Sequence, residues 1–393
     1  MLTRFARLAT RRSWAVVVAA LLFVLVAGAL GGGVAENLTS GGFEDPSTES
    51  AKADEALAQR FDTGVPNMVL VVTARGGTVD GPGAAAAGQA LTEELAAEPG
   101  VTDVVSYWSE GNAPPLRNDE GNRALVIARI EGDDDQVDER IDALGPELER
   151  NEPASPITVQ VGGLAAVFHE VGSTIEHDLM TAEMIALPIT LVLLVVIFGS
   201  VVAASLPLVI GIMSIIGTFF VLQLLSGVTD VSVYALNLTT ALGLGLAIDY
   251  SLFVVSRYRE ELRAGHEPRA AVVRTVRTAG RTVAFSALTV AASLCATLVF
   301  PITFLRSFAY AGVAVAVLAG LFSLVVLPAL LALLGHRVNA LTLWRRSITP
   351  PDQGMWHRIA TVVMRRPIPV ATAAIAVLLL LGAPFLGLRL TQP

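Results

Sequence analysis

The sequence predicts a helical membrane bundle of seven crossings with one ferredoxin-like α+β domain outside the membrane. Three observations carry this. Of 393 residues, 53% are hydrophobic and only 16% charged, where a soluble globular chain carries about a quarter charged. The apolar residues gather in blocks of about 20, the length that crosses the hydrocarbon core of a bilayer. A long polar stretch, 35–178, separates the first block from all the others.

Charge divides the same way. Residues 35–178 hold 28 Asp+Glu against 8 Lys+Arg, a balance of −20, and the rest holds 7 against 19, a balance of +12. The two sum to the net −8, so the overall charge describes neither part. Cys295 is the only cysteine and lies in an apolar block. The outer domain must therefore rely on its own core, without a disulfide.

In chain order, Arg4, Arg7, Arg11 and Arg12 precede the first block, 14–34. That block is long for a signal-peptide core and reads as an uncleaved anchor, a cleaved signal peptide being the alternative. A helix over 49–61 follows. Strands are expected over 67–74, 101–107, 123–130 and 157–161, and helices over 83–97 and 136–150. The second helix places Val137, Ile141, Leu144 and Leu148 on one face. The order β-α-β-β-α-β is the split βαβ pattern of ferredoxin-like folds, which hosts many functions and proves none. Asp133-Asp134-Asp135 reads as the first turn of the second helix, where negative charge suits the helix dipole.

From Leu164 helical periodicity continues through the second block, 179–199, so a nearly continuous helix joins the domain to the membrane. His169 and His177 lie on it, each beside an acid. Their spacing does not put two ligands on adjacent turns, and a solvated helix face is expected in place of a metal site. The remaining blocks are 201–225, 232–256, 282–304, 307–335 and 368–388. The expected divisions are 1–34 (N-terminus and first crossing), 35–178 (outer domain), 179–335 (crossings two to six), 336–367 (a loop) and 368–393 (seventh crossing).

Positive charge marks the cytoplasmic side of membrane crossings. Seventeen arginines lie before the first block, between Arg257 and Arg281, and between Arg337 and Arg366, whereas Arg306 and Arg389 alone fall on the other side. The N-terminus is therefore expected in the cytoplasm, and residues 35–178 outside a cytoplasmic (inner) membrane. The basic segment 257–281 is expected to meet anionic headgroups as a surface helix.

The residue with the clearest chemical message is Asp249. It sits within an apolar run, two turns before Arg257, which a rise of 1.5 Å per residue places on the order of 10 Å into the hydrocarbon. A charge there costs at least about 2.5 kcal/mol on insertion scales, so a use is expected. A carboxyl group that gains and loses a proton suits a relay, and Tyr250 beside it can donate or accept a hydrogen bond. A structural hydrogen bond to another helix is the plainer alternative. Gly243 and Gly245 remove bulk and let helices approach closely. Glu183 and Asp230, near the outer edge, and Asn237, Ser286, Thr289 and Ser293 are candidates for a polar path or for bonds between helices.

Several functions are excluded by what is missing. No phosphate loop ending in Gly-Lys-Ser/Thr surrounds Lys52, the only lysine, so direct use of ATP is not expected. No HExxH or GxSxG occurs, and no enzymatic activity, cofactor or nucleic-acid partner is expected.

The residues Ala182-Glu183-Met184-Ile185-Ala186-Leu187-Pro188, Phe198-Gly199-Ser200, Gly243-Leu244-Gly245-Leu246-Ala247-Ile248-Asp249-Tyr250-Ser251-Leu252-Phe253, Ala279-Gly280-Arg281-Thr282-Val283 and Leu327-Pro328-Ala329-Leu330-Leu331 resemble the MMPL family of the resistance-nodulation-division (RND) superfamily. The resemblance covers essentially the whole chain, and the Asp-Tyr pair is its most specific part. It implies that Asp249 and Tyr250 belong to a proton relay, that the outer domain is a porter domain, and that the cargo is lipid or otherwise hydrophobic. It also implies twelve crossings in two similar halves. The expectation is thus an N-terminal half of a proton-driven exporter, its partner being a missing C-terminal half or a second copy. A non-transporting, sterol-sensing-like sensor or scaffold is the competing reading.

Overall fold

A computed structural model describes residues 10–342 and 355–387, apart from positions 40, 44, 46, 62, 150 and 154. The chain divides after Leu341 into two compact units.

In the first unit, α1 (Ser13–Gly31) leads to α2 (Glu49–Phe61) and then to the domain: β1 (Met68–Ala74), α3 (Pro82–Ala97), β2 (Val101–Ser106), β3 (Arg123–Ile130), α4 (Asp134–Leu148) and β4 (Ile157–Gly162). The strands form one antiparallel sheet in the order β2-β3-β1-β4. That is the βαββαβ fold the pattern predicted. Alternation does the work: Met68, Leu70 and Val72 are fully buried, facing Leu91 and Leu95 of α3 and Ile141 and Leu148 of α4. Asp133 caps α4, accepting from Gln136 N at 2.9 Å while the Gln136 side chain returns to the Asp133 amide, which satisfies two otherwise orphaned donors. The acidic run thus begins the helix as its composition suggested.

Gly163 ends the sheet at φ +94, where an added Cβ would meet Asn67 O at 2.6 Å. The chain turns there into α5 (Leu164–Phe198), one helix of 35 residues that runs from the domain into the bundle. Gly199, at φ +67, terminates it, and the Ser200 side chain then caps α6 (Val201–Ser226) by accepting from Ala203 N. This gives the Phe198-Gly199-Ser200 triplet its physical meaning: a left-handed stop needs glycine, and a new helix start needs a short hydroxyl.

The bundle is completed by α7 (Tyr234–Arg263), α8 (Pro268–Cys295) and α9 (Thr303–Leu334). α1 packs on α6: Phe23 makes edge contacts with Phe220 and Phe322, and Gly31 lets α6 backbone approach to 2.8 Å from where a Cβ would lie. Among the described residues, seven helices are long and apolar enough to cross a membrane. The protein is a multi-pass membrane protein.

The basic segment does not form a separate surface helix. α7 runs on to Arg263, Gly265 turns the chain at φ +84, and α8 begins at Pro268. Proline at a first helical position is preorganised for a helix, so the arginines decorate the ends of two spans. At this end Arg259 donates to Phe198 O and to Asn339 Oδ1, both at 2.7 Å, and Ser200 donates to Val338 O or Ala340 O.

The second unit contains α10 (Met355–Arg365) and the apolar α11 (Pro367–Gly382). The stretch 336–367, expected as a loop, therefore contains a helix. Positions 343–354 lie outside the described residues.

Candidate functional site

The buried residues of α7 include Ala235, Thr239, Gly243, Ala247, Tyr250, Val254 and Tyr258. Steps of three and four place them on one stripe. Tyr258 donates to Leu331 O of α9 at 3.1 Å. At Gly243 an added Cβ would meet Ile215 of α6 at 2.6 Å and Val315 of α9 at 3.2 Å. Glycine is what lets three helices meet there.

Asp249 lies off this stripe. It shares an exposed one with Ala241, Gly245, Phe253, Ser256 and Glu260, again at steps of three and four. No described residue comes within 4 Å of the position a Gly245 side chain would take, so the two glycines differ: Gly243 packs this bundle, and Gly245 opens the face that carries Asp249. Tyr250 points the other way. Its hydroxyl is buried and faces Ser286 of α8. The pair thus straddles the helix, with the acid outward and the phenol inward.

The other candidates scatter. Thr289 and Ser293 lie on the exposed side of α8, and the Thr289 hydroxyl donates back to Phe285 O. Such a back-bond satisfies the hydroxyl locally and needs no path. Glu183 on α5 is half-buried, with one carboxylate oxygen buried and unpartnered. Asp230 is exposed before α7. Asn237 is half-buried, one turn from Tyr234, and lines a cavity.

That cavity, of about 830 Å³, lies between the domain and the bundle. The inner faces of α4 and α5 supply Asp134, Asp138, Phe168 and His169, and the head of α7 supplies Tyr234 and Asn237. His169 is not on a purely solvated face: its Nδ1 lies 3.0 Å from Asp138 Oδ1 and its Nε2 3.5 Å from Asp142 Oδ1. His177 is largely exposed. No cluster of three or more metal-binding side chains occurs among the described residues.

Gly41, Gly42 and Phe43 form one wall, as part of a strap that begins at Thr39. Thr39 exchanges backbone bonds with Val231 and Val233 at 2.9 Å each, Phe304 N donates to Gly42 O at 3.0 Å, and Gly42 N donates to Asp134 Oδ2 at 3.3 Å. Three elements are so tied together: the approach to α7, the start of α9 and the start of α4. Phe43 stacks on Phe168, with centroids 5.6 Å apart, and contacts Tyr234 and Phe304 at 5.4 and 4.9 Å. Gly41 allows the strap to touch the Asp134 carboxylate, which a Cβ would displace. Sequence reading missed the strap and the cavity. The Gly41-Gly42-Phe43 triplet, sitting between a crossing and a domain, is the signal that could have found them.

The MMPL family profile matches residues 42–370. A membrane protein of Streptomyces coelicolor is 38% identical over 99% of this chain and 54% of its own length. The trehalose monomycolate exporter MmpL3 of Mycolicibacterium smegmatis is 36% identical over 68% of the chain and 29% of its own length. The heme uptake protein MmpL11 of Mycobacterium tuberculosis is 32% identical over 97% and 40%. The chain thus spans about half, or less, of the curated relatives it matches.

Proposed function

We propose, from the premise that this chain belongs to the MMPL family of transporters, that it is the N-terminal half of a proton-motive-force-driven secondary exporter of lipids or other hydrophobic molecules. The N-terminus is cytoplasmic and the sheet domain extracytoplasmic, a reading supported by the seven arginines from Arg257 to Arg281, which lie on the end of α7 away from the strap and on the first half of α8.

The observation that carries the reading is the place of Asp249. A carboxyl group in the middle of an apolar span, on a face this unit leaves exposed, would meet hydrocarbon unless something covers it. A lone charge at that depth is costly; a proton-loaded carboxyl under a partner helix is not. The partner is the C-terminal half or a second copy, and it covers the stripe from Gly245 to Glu260. Protonation of Asp249 then alters how α7 packs against that partner, while Tyr250 anchors the inner side. α7 is tied through the strap to α4, so its movement reaches the cavity and the porter domain. Export of a trehalose lipid by one relative supports a lipid cargo. Heme uptake by another leaves direction to be tested.

The test is Asp249→Asn, which keeps size and polarity but removes the titratable proton. Proton-gradient-driven movement of a fluorescent lipid across vesicles made from cells producing the protein should be lost, with the thermal unfolding midpoint unchanged. Gradient-dependent transport that survives in the Asn variant overturns the relay.

A further inference from the structure

We propose that His169 is a pH-sensitive pin between α4 and α5. Its charged form is clasped by Asp138 and Asp142, and its discharge frees the first turns of the connecting helix from the sheet domain. The proposal stands on this contact; the placement of the domain outside the membrane, part of the reading above, decides only which compartment's pH is sensed.

Two described histidines lie on α5, and the fold treats them differently. His177 is largely exposed, and the acid it approaches, at 3.9 Å, is its own chain neighbour Asp178. His169 is half-buried and reaches a second element. Its Nδ1 lies 3.0 Å from Asp138 Oδ1 and its Nε2 3.5 Å from Asp142 Oδ1, so both ring nitrogens face carboxylates of α4. A neutral imidazole has one N–H and one lone pair, and in either tautomer one carboxylate would face that lone pair. Only the imidazolium donates to both. The two nitrogens sit on different edges of the ring, so the acids do not converge with it on one ion.

The surroundings make that charge matter. Asp138 and Asp142 stand four residues apart on α4, a spacing at which like charges repel along a helix face. Asp134, one turn earlier, accepts from Gly42 N at 3.3 Å. Glu170 adjoins His169 on its own helix. The head of α7 brings Tyr234 and Asn237 to the adjoining cavity, the strap brings Gly41, Gly42 and Phe43, and the described lining includes neither arginine nor lysine. A charged ring therefore offsets the repulsion between the two aspartates, and a neutral ring restores it.

The pin also sits where α5 leaves the domain. Ala165, one turn before it, belongs to the core of the sheet domain. Ser173, Thr174, Ile175 and His177, beyond it, are exposed. Gly172 falls between, and a glycine inside a helix is its loosest position. With the pin closed, the domain holds the helix through residue 169, and bending is left to Gly172. With the pin open, the hold ends at Ala165, beside the corner that Gly163 makes at φ +94. The pivot of the domain on its connecting helix thus shifts by about two turns. Histidine is the side chain whose charge ordinarily changes between about pH 5 and 8, so an acidified outer compartment stiffens the joint and a neutral or alkaline one loosens it.

The experiment is hydrogen–deuterium exchange of the full chain in lipid nanodiscs at about pH 5.5 and about pH 8.0, on either side of the ordinary histidine range, with labelling times scaled to the intrinsic rate at each pH. In the wild type, amides of residues 165–172 and 138–145 should exchange about 3-fold faster at the higher pH, the weight of a half-exposed ion pair. Those of β1 and β3 should not change. His169→Gln should show the faster rate at both pH values. His169→Arg, with a fixed charge and a fork of donors for both acids, should show the slower rate at both. Asp138→Asn with Asp142→Asn should also erase the pH difference. Thermal unfolding identifies any variant that misfolds, and the wild-type comparison with the remaining variants then decides. No pH difference in the wild type, or a difference that persists in His169→Gln or in the double Asn variant, overturns the proposal. Asp249→Asn should respond as the wild type does. Loss of proton-coupled transport with this response intact, or the reverse, separates failure of the transport reading from failure of this one.

Discussion

Replacing Gly42 by alanine tests whether the strap is a mechanical tie. Gly42 has φ +87, a region where an L-residue costs about 1–2 kcal/mol more than glycine. Its new methyl group would stand 3.0 Å from Thr303 Cβ and 3.3 Å from Thr303 Cγ2. The start of α9 must give by a few tenths of an ångström, which adds roughly 0.5 kcal/mol. The sum is about 2 kcal/mol, concentrated on the bonds Phe304 N to Gly42 O and Gly42 N to Asp134. If the strap opens locally, that energy appears as about 30-fold faster amide exchange at position 42 and at Phe304. Hydrogen–deuterium exchange with mass spectrometry on the full chain in nanodiscs reads it directly. Gly76→Ala is the control: φ is +77, nothing lies within 4 Å of the new methyl group, and the change should loosen only its own turn. Unchanged exchange at Phe304 in the Gly42 variant refutes the reasoning, because the three ties would then not share one backbone strain.

The two glycines of α7 give a second contrast. Gly243→Ala forces a methyl group against Ile215 at 2.6 Å and should lower stability by about 1–3 kcal/mol, whereas Gly245→Ala should be neutral or slightly stabilising for this chain; thermal unfolding of the purified protein compares them. Arg259→Lys should not rescue Arg259→Ala, since one ammonium cannot serve Phe198 O and Asn339 Oδ1 while lying over the Phe198 ring. A loss of about 2 kcal/mol is expected for both variants. In the sheet domain, the hydrogen bond from Tyr107 to Asp80 holds the phenol above its ordinary value of 10.0, with burial of the group adding to it. A raised folded value gives stability that is complete below the unfolded value and lost as pH rises through the folded one. The ultraviolet difference between wild type and Tyr107→Phe should therefore titrate above pH 10.0, and titration at or below it would contradict the bond.

The domain was legible because its signals are local. Period-two alternation set the register of Met68, Leu70 and Val72, and the Gly162-Gly163 pair announced the exit from the sheet. The membrane helices were equally plain from length and apolarity alone. Helix faces within the bundle were not. Hydrophobic residues surround each span, so no stripe in the sequence distinguishes Gly243 from Gly245, or tells that Asp249 and Tyr250 point to opposite sides. The cavity was not read either, since it joins positions as far apart as Phe43, Phe168 and Asn237, and the Gly41-Gly42-Phe43 triplet was its one local trace. The basic hairpin misled for a similar reason. Its arginines have a surface pattern, yet Gly265 and Pro268 set sharp helix ends that absorb most of the segment into the spans.

What the fold adds to the sequence is a connection between the two places where chemistry can happen. Asp249 lies 15 residues beyond Tyr234 on one uninterrupted helix, a span of roughly 22 Å. A straight helix transmits a tilt or slide along such a length without loss. At its head the approach residues Val231 and Val233 are bonded to Thr39, whose strap reaches both Asp134 and Phe304 through Gly42, three residues later. A shift of α7 by even 1–2 Å, the size of ordinary interface helix movements, cannot leave Phe43, Tyr234 and the cavity wall unchanged, because their rings are already in contact. The same shift need not disturb the sheet core, which packs as a separate hydrophobic cluster. Under the proposed function, the acid's protonation state is thus felt first at the junction cavity, and the domain moves as a body on the strap and on α5.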